Sequence, residues 1–194
     1  AVNELAQVVS VLDIFAVATR AGCEARFRWV RRCFIQDADD LSKFVDRMDF
    51  SLAPGCLDYV WRRFGPWDVD RYASPSNATC PRFNALFDSV HVEAVNALRQ
   101  DWRGTTSFVL PDFHDIDAIL DIVERDDAHA ILIVPVWPYK AWWRRLHSAA
   151  WANRVVASER LDGSVLVPNT ADCFFGVRFT TGLLVLRLAS VARP

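Results

Sequence analysis

Two short strings in this chain combine residue types that do chemistry with a spacing that brings them to one edge. Leu110-Pro111-Asp112-Phe113 closes one apolar run, Val134-Pro135-Val136-Trp137-Pro138 closes the next, and a helical pattern lies between them. Apolar runs joined in this way predict parallel strands, and in open α/β sheets ligands bind beyond the carboxyl ends of such strands. Each string therefore sets a rigid proline turn and an aromatic ring at a ligand edge, and Asp112 adds a carboxylate. His114 follows directly, flanked by Asp115 and Asp117. It has the chemistry of a general base, although an exposed histidine at a helix start is the safer reading. Trp137, Trp142 and Trp143 offer ring faces for base stacking, with Arg144 and Arg145 as cations for phosphate. Tryptophans at helical spacing are more often core.

The elements that position these residues follow from periodicity. Leu5, Val8, Val9, Leu12, Phe15 and Ala16 recur at helical spacing, and Gly22 stops the pattern, which predicts a helix to Arg20. Alternation over 25–30 predicts a strand, and Asp37 to Lys43 begins a second helix. Leu52, Leu57, Val60, Trp61 and Phe64 predict a helix between Phe50 and Gly65, ended by Gly65-Pro66. A short strand around Asp68-Val69-Asp70 leads into a Ser/Pro/Asn loop, then a helix or irregular segment from His91 to Leu98. Phe108 to Leu110, a helix carrying Ile116, Ile119, Leu120 and Val123, and the run Ala130 to Val134 make a βαβ unit. Tyr139 to Ala152 predicts a helix, and Val155-Val156, Ser164 to Val167 and Leu183 to Leu188 predict closing strands.

With 194 residues, 52% of them hydrophobic and 12% aromatic, the chain can bury a full core. A net charge of -2 supplies no general pull towards nucleic acid, so any such binding needs a local basic patch. Acidic residues crowd 112–127 and arginines dominate from Arg144 onward, which predicts one acidic and one basic side or, more plainly, a solvated acidic helix face. The five cysteines have no CxxC pair and no histidine at metal spacing, which argues against zinc. With no signal peptide or long apolar span, an intracellular setting (cytoplasmic or nuclear) with free buried thiols is expected, and no membrane partner. Asn77-Ala78-Thr79 then carries no glycosylation meaning. Because Ala1 stands inside a helical pattern, the chain reads as a piece of a longer polypeptide.

Trp29-Val30 followed by Ala38-Asp39-Asp40-Leu41-Ser42 resembles the end of the RNase H domain in retroelement polyproteins. That resemblance puts Asp39 on the family's last metal-binding carboxylate, a Mg site. Two-metal phosphodiester cleavage needs several carboxylates, and the others would lie upstream of Ala1. Ile35 also stands where the family has asparagine, and Arg32 where it has proline. The structural alternative is that Asp39 opens a helix, where a carboxylate is favourable.

The string Gly65-Pro66-Trp67-Asp68-Val69-Asp70-Arg71-Tyr72-Ala73-Ser74, with Asn77, Pro81-Arg82-Phe83-Asn84 and Glu93 to Trp102, resembles the region downstream of RNase H in DIRS-type retroelements. There it continues into an N-P-P-F/W segment, a strand ending in P-x-W-P and a W-W pair. Here those places hold Leu110 to Phe113, Ile131 to Pro138 and Trp142-Trp143. The region is in turn similar to phage-type Dam N6-adenine methyltransferases, and the joint resemblance runs to about residue 150. It implies an α/β fold with a Rossmann-like methyltransferase-type sheet and flanking helices over 50–194, preceded by a partial RNase H-like segment over 1–49.

The resemblance also implies roles. An Asn or Asp side chain and the following carbonyl accept the N–H protons of the adenine amino group while it attacks the methyl of S-adenosylmethionine, and an aromatic residue stacks on the flipped base. Phe113 keeps the ring and Pro111 keeps the turn and a carbonyl. Leu110 has no acceptor, and Asp112 stands two residues on, roughly 6.5 Å along a strand. Asp70 occupies the cofactor motif with Tyr72 and Ala73 beside it, and Asn96 stands where the family has aspartate. No glycine-rich loop follows Asp70. A turn-forming role for Asp70, a core or rim role for Tyr72 and an Asx-turn for Asn77 are the structural alternatives. The expectation is a degenerate domain of a retrotransposon Pol polyprotein with little or no methyl transfer. Its partners would be nucleic acid (DNA or an RNA–DNA hybrid) and the rest of Pol. A non-catalytic nucleic-acid-binding module and a structural RNase H remnant are the other two expectations.

Overall fold

The computed structural model describes residues 50–86, 91–169 and 181–191, with Ala16, Ala18, Thr19, Arg20, Gly22 and Glu24. Ala16 and 18–20 are helical. The strand expected over 25–30, the helix from Asp37 and the metal reading of Asp39 lie outside the described residues. The chain divides into two compact units, Ala1–Val45 and Asp46–Pro194.

In the second unit the chain runs through β1 (Phe50–Leu52), α1 (Pro54–Phe64), β2 (Val69–Asp70), β3 (Asn84–Ala85), β4 (Ala94–Val95) and a 3-10 turn (Ala97–Arg99). It continues through β5 (Thr106–Val109), α2 (Ile116–Asp126), β6 (His129–Pro135), α3 (Ala141–Leu146), β7 (Val155–Leu161), β8 (Leu166–Pro168) and β9 (Leu183–Leu188). One sheet has the order β2-β5-β6-β9-β7. β2, β5 and β6 are parallel, and β9 runs antiparallel to both β6 and β7. The unit is therefore α/β with a mixed five-stranded sheet.

The central strand is the continuous apolar run. Every residue of β6 except His129 is buried, as a strand covered on both faces requires. β5, α2 and β6 form the expected βαβ unit, and α2 turns Ile116, Ile119, Leu120, Ile122 and Val123 inward. Asp127 ends that helix in the left-handed region, a conformation that aspartate tolerates better than most residues. α1 starts with Pro54 in its first turn and ends at Gly65, where φ is 95°. A Cβ at Gly65 would lie 2.6 Å from the Arg187 guanidinium, whose Nη1 donates to the Phe64 carbonyl.

Three elements depart from the pattern in the sequence. The helix expected from Tyr139 to Ala152 is only Ala141–Leu146, followed by turns that bury Trp151. Ser148 Oγ donates to the Arg145 carbonyl (2.7 Å) and His147 Nδ1 lies 2.8 Å from the Trp143 carbonyl. Local side-chain bonds of this kind compete with further helix. The expected strand at 164–167 contributes β8, which leaves the main sheet and pairs antiparallel with β1. Residues Phe50–Leu52, expected at the head of a helix, are β1 itself. No helix among the described residues is long and apolar enough to cross a membrane.

Candidate functional site

The register of β5 on β6, with Val109 opposite Leu132, brings both motif strings to the carboxyl edge of the parallel strands. Phe113 meets Trp137 edge to face, with ring centroids 5.4 Å apart, and also meets Phe50 at 5.1 Å. Trp137 stacks on Tyr139 at 6.4 Å. The rings thus form a series that leads from the core, where Phe113 is 5% exposed, to the surface, where Tyr139 is 74% exposed. Leu110 and Pro111 are buried at the base of this edge, and Asp112 is half-buried.

A polar group gathers beside this series. Ligand atoms of Asp112, His114 and Asp115 lie within 4.8 Å of one another. The Asp115 N–H donates to the Asp112 carbonyl at 3.0 Å, which shapes the turn into α2. His114 is exposed, as a helix-start histidine should be, with Nε2 3.3 Å from Asp115 Oδ1. Tyr72, just after β2, donates its hydroxyl to Asp115 Oδ2 at 3.0 Å. Burial, and then the charge of Asp115 and the hydrogen bond to it, push the Tyr72 phenol well above its ordinary range. Oxygen and imidazole ligands in this arrangement suit a divalent cation. Exposed acidic groups also gather without one, so the cluster alone assigns no metal.

Of the residues that the resemblance gives to S-adenosylmethionine, Tyr72 reaches this edge, whereas Asp70, Ala73 and Asn96 are engaged by their own loops. Asp70 is 2% exposed, and its carboxylate accepts from Tyr72 N (3.3 Å), Thr79 N (3.0 Å) and Thr79 Oγ1 (2.7 Å). Thr79 Oγ1 in turn accepts from Trp67 Nε1 at 2.9 Å. Asp70 therefore holds its own loop, which is the turn-forming alternative. Burial raises its pKa to about 6 against the lowering effect of those hydrogen bonds. Ala73 is half-buried and donates its N–H to the Asn84 carbonyl. Asn96 sits at φ 61°, and its Oδ1 caps the 3-10 turn by accepting from Leu98 N at 3.1 Å. Asn77 Oδ1 closes its loop by accepting from Ser74 N at 2.6 Å. No glycine stands between Gly65 and Gly104 to admit a ribose close against the backbone. This donor set does not fit the cofactor.

The candidate nucleic-acid residues separate into two groups. Trp142 and Trp143 are 3% and 8% exposed and belong to the core, so they present no stacking platform. Arg145 is half-buried and ion-paired to Asp121 (2.7 Å) and Glu124 (2.8 Å) on α2. Trp137 stays at the edge, and Arg144 is exposed. Sequence reasoning passed over Arg71, a buried guanidinium that donates to Ser107 Oγ (3.0 Å), Asn84 Oδ1 (3.0 Å) and Thr105 Oγ1 (3.1 Å) and lies over the Trp102 ring. None of these partners is a carboxylate, and burial lowers its pKa. Its hydrogen bonds run back to the amino end of β5, away from the ligand edge. An arginine beside a motif carries no sequence signal for burial.

No protein-family model matches the chain, and no curated protein matches it.

Proposed function

We propose that this chain is a degenerate N6-adenine DNA methyltransferase-like domain of a retroelement Pol polyprotein, preceded by the tail of an RNase H-like segment. It keeps the frame of the enzyme and performs little or no methyl transfer. The observation that carries this reading is the state of the first motif position. Leu110 follows the strand where the resemblance calls for Asn or Asp, and its hydrocarbon side chain, 6% exposed, accepts no proton from an amino group. Without that acceptor the adenine nitrogen keeps its delocalised lone pair.

Several observations support the reading. Three adjacent parallel strands carry the motif strings at their carboxyl ends, where ligands bind in open α/β sheets. Phe113, the expected stacking ring, is buried against Phe50 and Trp137 and offers no free face. Asp70 and Asn96 hold turns rather than a ligand. Asp112 does not replace the lost acceptor, because it stands beyond the strand in the turn closed by Asp115.

Nucleic acid is the partner class this reading implies, and Lys140, exposed beside the aromatic series, and Arg144, exposed on α3, support it. Calorimetric titration of S-adenosylmethionine into the purified, folded chain tests the cofactor side of the proposal. We expect no saturable heat. Saturable binding that Asp70→Ala abolishes would show that the cofactor site works and would overturn the degenerate reading on that side.

A further inference from the structure

The turn that follows β6 carries the second motif string on into Tyr139 and Lys140, which no motif assigns. The Lys140 N–H donates to the Trp137 carbonyl at 3.1 Å, closing a four-residue turn with Pro138 second, the position where proline's fixed φ suits a turn. The start of the turn is anchored to the sheet by Val136 N donating to the Gly182 carbonyl at 2.7 Å. On this rigid base Trp137 is wedged against Phe113, and Tyr139 stacks on Trp137 with planes 24° apart. Lys140 Nζ lies 5.8 Å from the Trp137 centroid and 6.0 Å from that of Tyr139, so its ammonium stays beside the rings. Arg144, four residues after Lys140 and on α3, is a second exposed cation. Neither has a carboxylate partner among the described residues, in contrast to Arg145.

We propose that this turn binds one unpaired nucleotide of a single-stranded nucleic acid. The base stacks on the open face of Tyr139, continuing the series Phe113, Trp137, Tyr139, and the flanking phosphates are held by Lys140 and Arg144. Two features select this occupant. A large ring left 74% exposed in a preformed turn provides a sequence-tolerant stacking surface at little ordering cost. Lys140 beside the ring and Arg144 four residues on, both exposed and without a carboxylate partner among the described residues, favour an anionic ligand over a purely apolar one. The carboxylates of Asp112 and Asp115 stand at the turn into α2, so the strand's phosphates run on the Lys140 side of the ring. This inference rests on the nucleic-acid part of the function proposed above and is independent of its methyltransferase part.

The test is fluorescence anisotropy of a labelled oligodeoxythymidine strand, and of a duplex of equal length, titrated with the 194-residue chain at several salt concentrations. The single strand should bind more tightly than the duplex. Tyr139→Ala should weaken strand binding about fivefold to a hundredfold, the range set by loss of one base–aromatic stack. Tyr139→Phe keeps the ring and should bind as the wild type does. Replacing Lys140 and Arg144 by alanine should flatten the salt dependence by about 0.7 in log–log slope for each phosphate that is no longer neutralised. Wild-type affinity in Tyr139→Ala, or no binding of the strand by the folded wild type at low salt, would overturn the proposal. Calorimetry with S-adenosylmethionine reports separately on the methyltransferase reading, so failure of either one is distinguishable from failure of the other.

Discussion

Three hydrogen bonds converge on the carboxylate of Asp70, yet burial still holds its pKa at about 6. Desolvation wins because the donors are neutral and no cation contributes to the shift. The linkage has a definite sign. Between the ordinary value of 3.8 and about 6, the folded chain holds a proton that the unfolded chain has released, so Asp70's contribution to stability falls as pH rises through that window. Its size is roughly 3 kcal/mol, from the difference between the two values. Asp70→Asn removes this titration. Urea denaturation at pH 4 and pH 7 should therefore show a larger loss on going to pH 7 in the wild type than in the variant, and equal losses would contradict the assignment. Comparing the two chains cancels other carboxylates, among them Asp127, which Ser190, Val191 and Arg154 hold at about 2. The sequence flagged Asp70 but left open whether it forms a turn or binds a ligand. Its partner Thr79 stands nine residues on in an irregular loop, and Tyr72 meets Asp115 across 43 residues. No periodicity announces such pairs.

Elements repeat this division between local and distant information. The βαβ unit was legible because α2 shows helical spacing and β6 is a continuous apolar run, and the end of α1 was legible because Gly65-Pro66 punctuates it. β7 gave little signal beyond Val155-Val156, because half-buried and exposed residues alternate along it and neither face is an apolar stripe. The pairing of β8 with β1 was not legible at all, since antiparallel partners more than a hundred residues apart leave no trace in either string.

Of the two readings of the charge pattern, the solvated acidic helix face agrees with α2, where Asp117 and Asp121 are exposed, and the division into an acidic and a basic side does not hold. Read along the chain, the acidic run and the later arginines suggest two separate faces, but the fold lays them against each other. Arg145 pairs with Asp121 and Glu124, and Arg154 with Asp127 at 2.8 Å. Arg145→Ala should destabilise the unit by about 1 kcal/mol, the upper end for partly exposed pairs, and less at high ionic strength. Thermal denaturation at low and high salt measures this, and a loss that does not depend on salt would mean that Arg145 acts through packing alone, for instance against Trp151.

At the scale of the whole molecule, the sheet brings two motif strings together at one edge while the groups expected to do chemistry there are absent or committed elsewhere. Placement at the edge was legible in the sequence, because prolines and aromatics closing consecutive apolar runs mark the carboxyl ends of parallel strands. The commitment of the side chains was not. Whether Phe113 offers a free face depends on Phe50, and whether Trp142 and Trp143 form a platform depends on the whole core, which contains both. The first motif position, by contrast, speaks for itself at every level, since no rotamer of the Leu110 side chain supplies a hydrogen-bond acceptor.

The most direct measurement is therefore transfer of a radiolabelled methyl group from S-adenosylmethionine to adenine-containing DNA, single-stranded and duplex, by the folded wild-type chain. Incorporation indistinguishable from that of a reaction without protein is the expected result. Incorporation into adenine N6 that depends on the chain and is lost in Asp112→Ala would contradict the reading, because it would mean that Asp112 stands in for the acceptor Leu110 lacks.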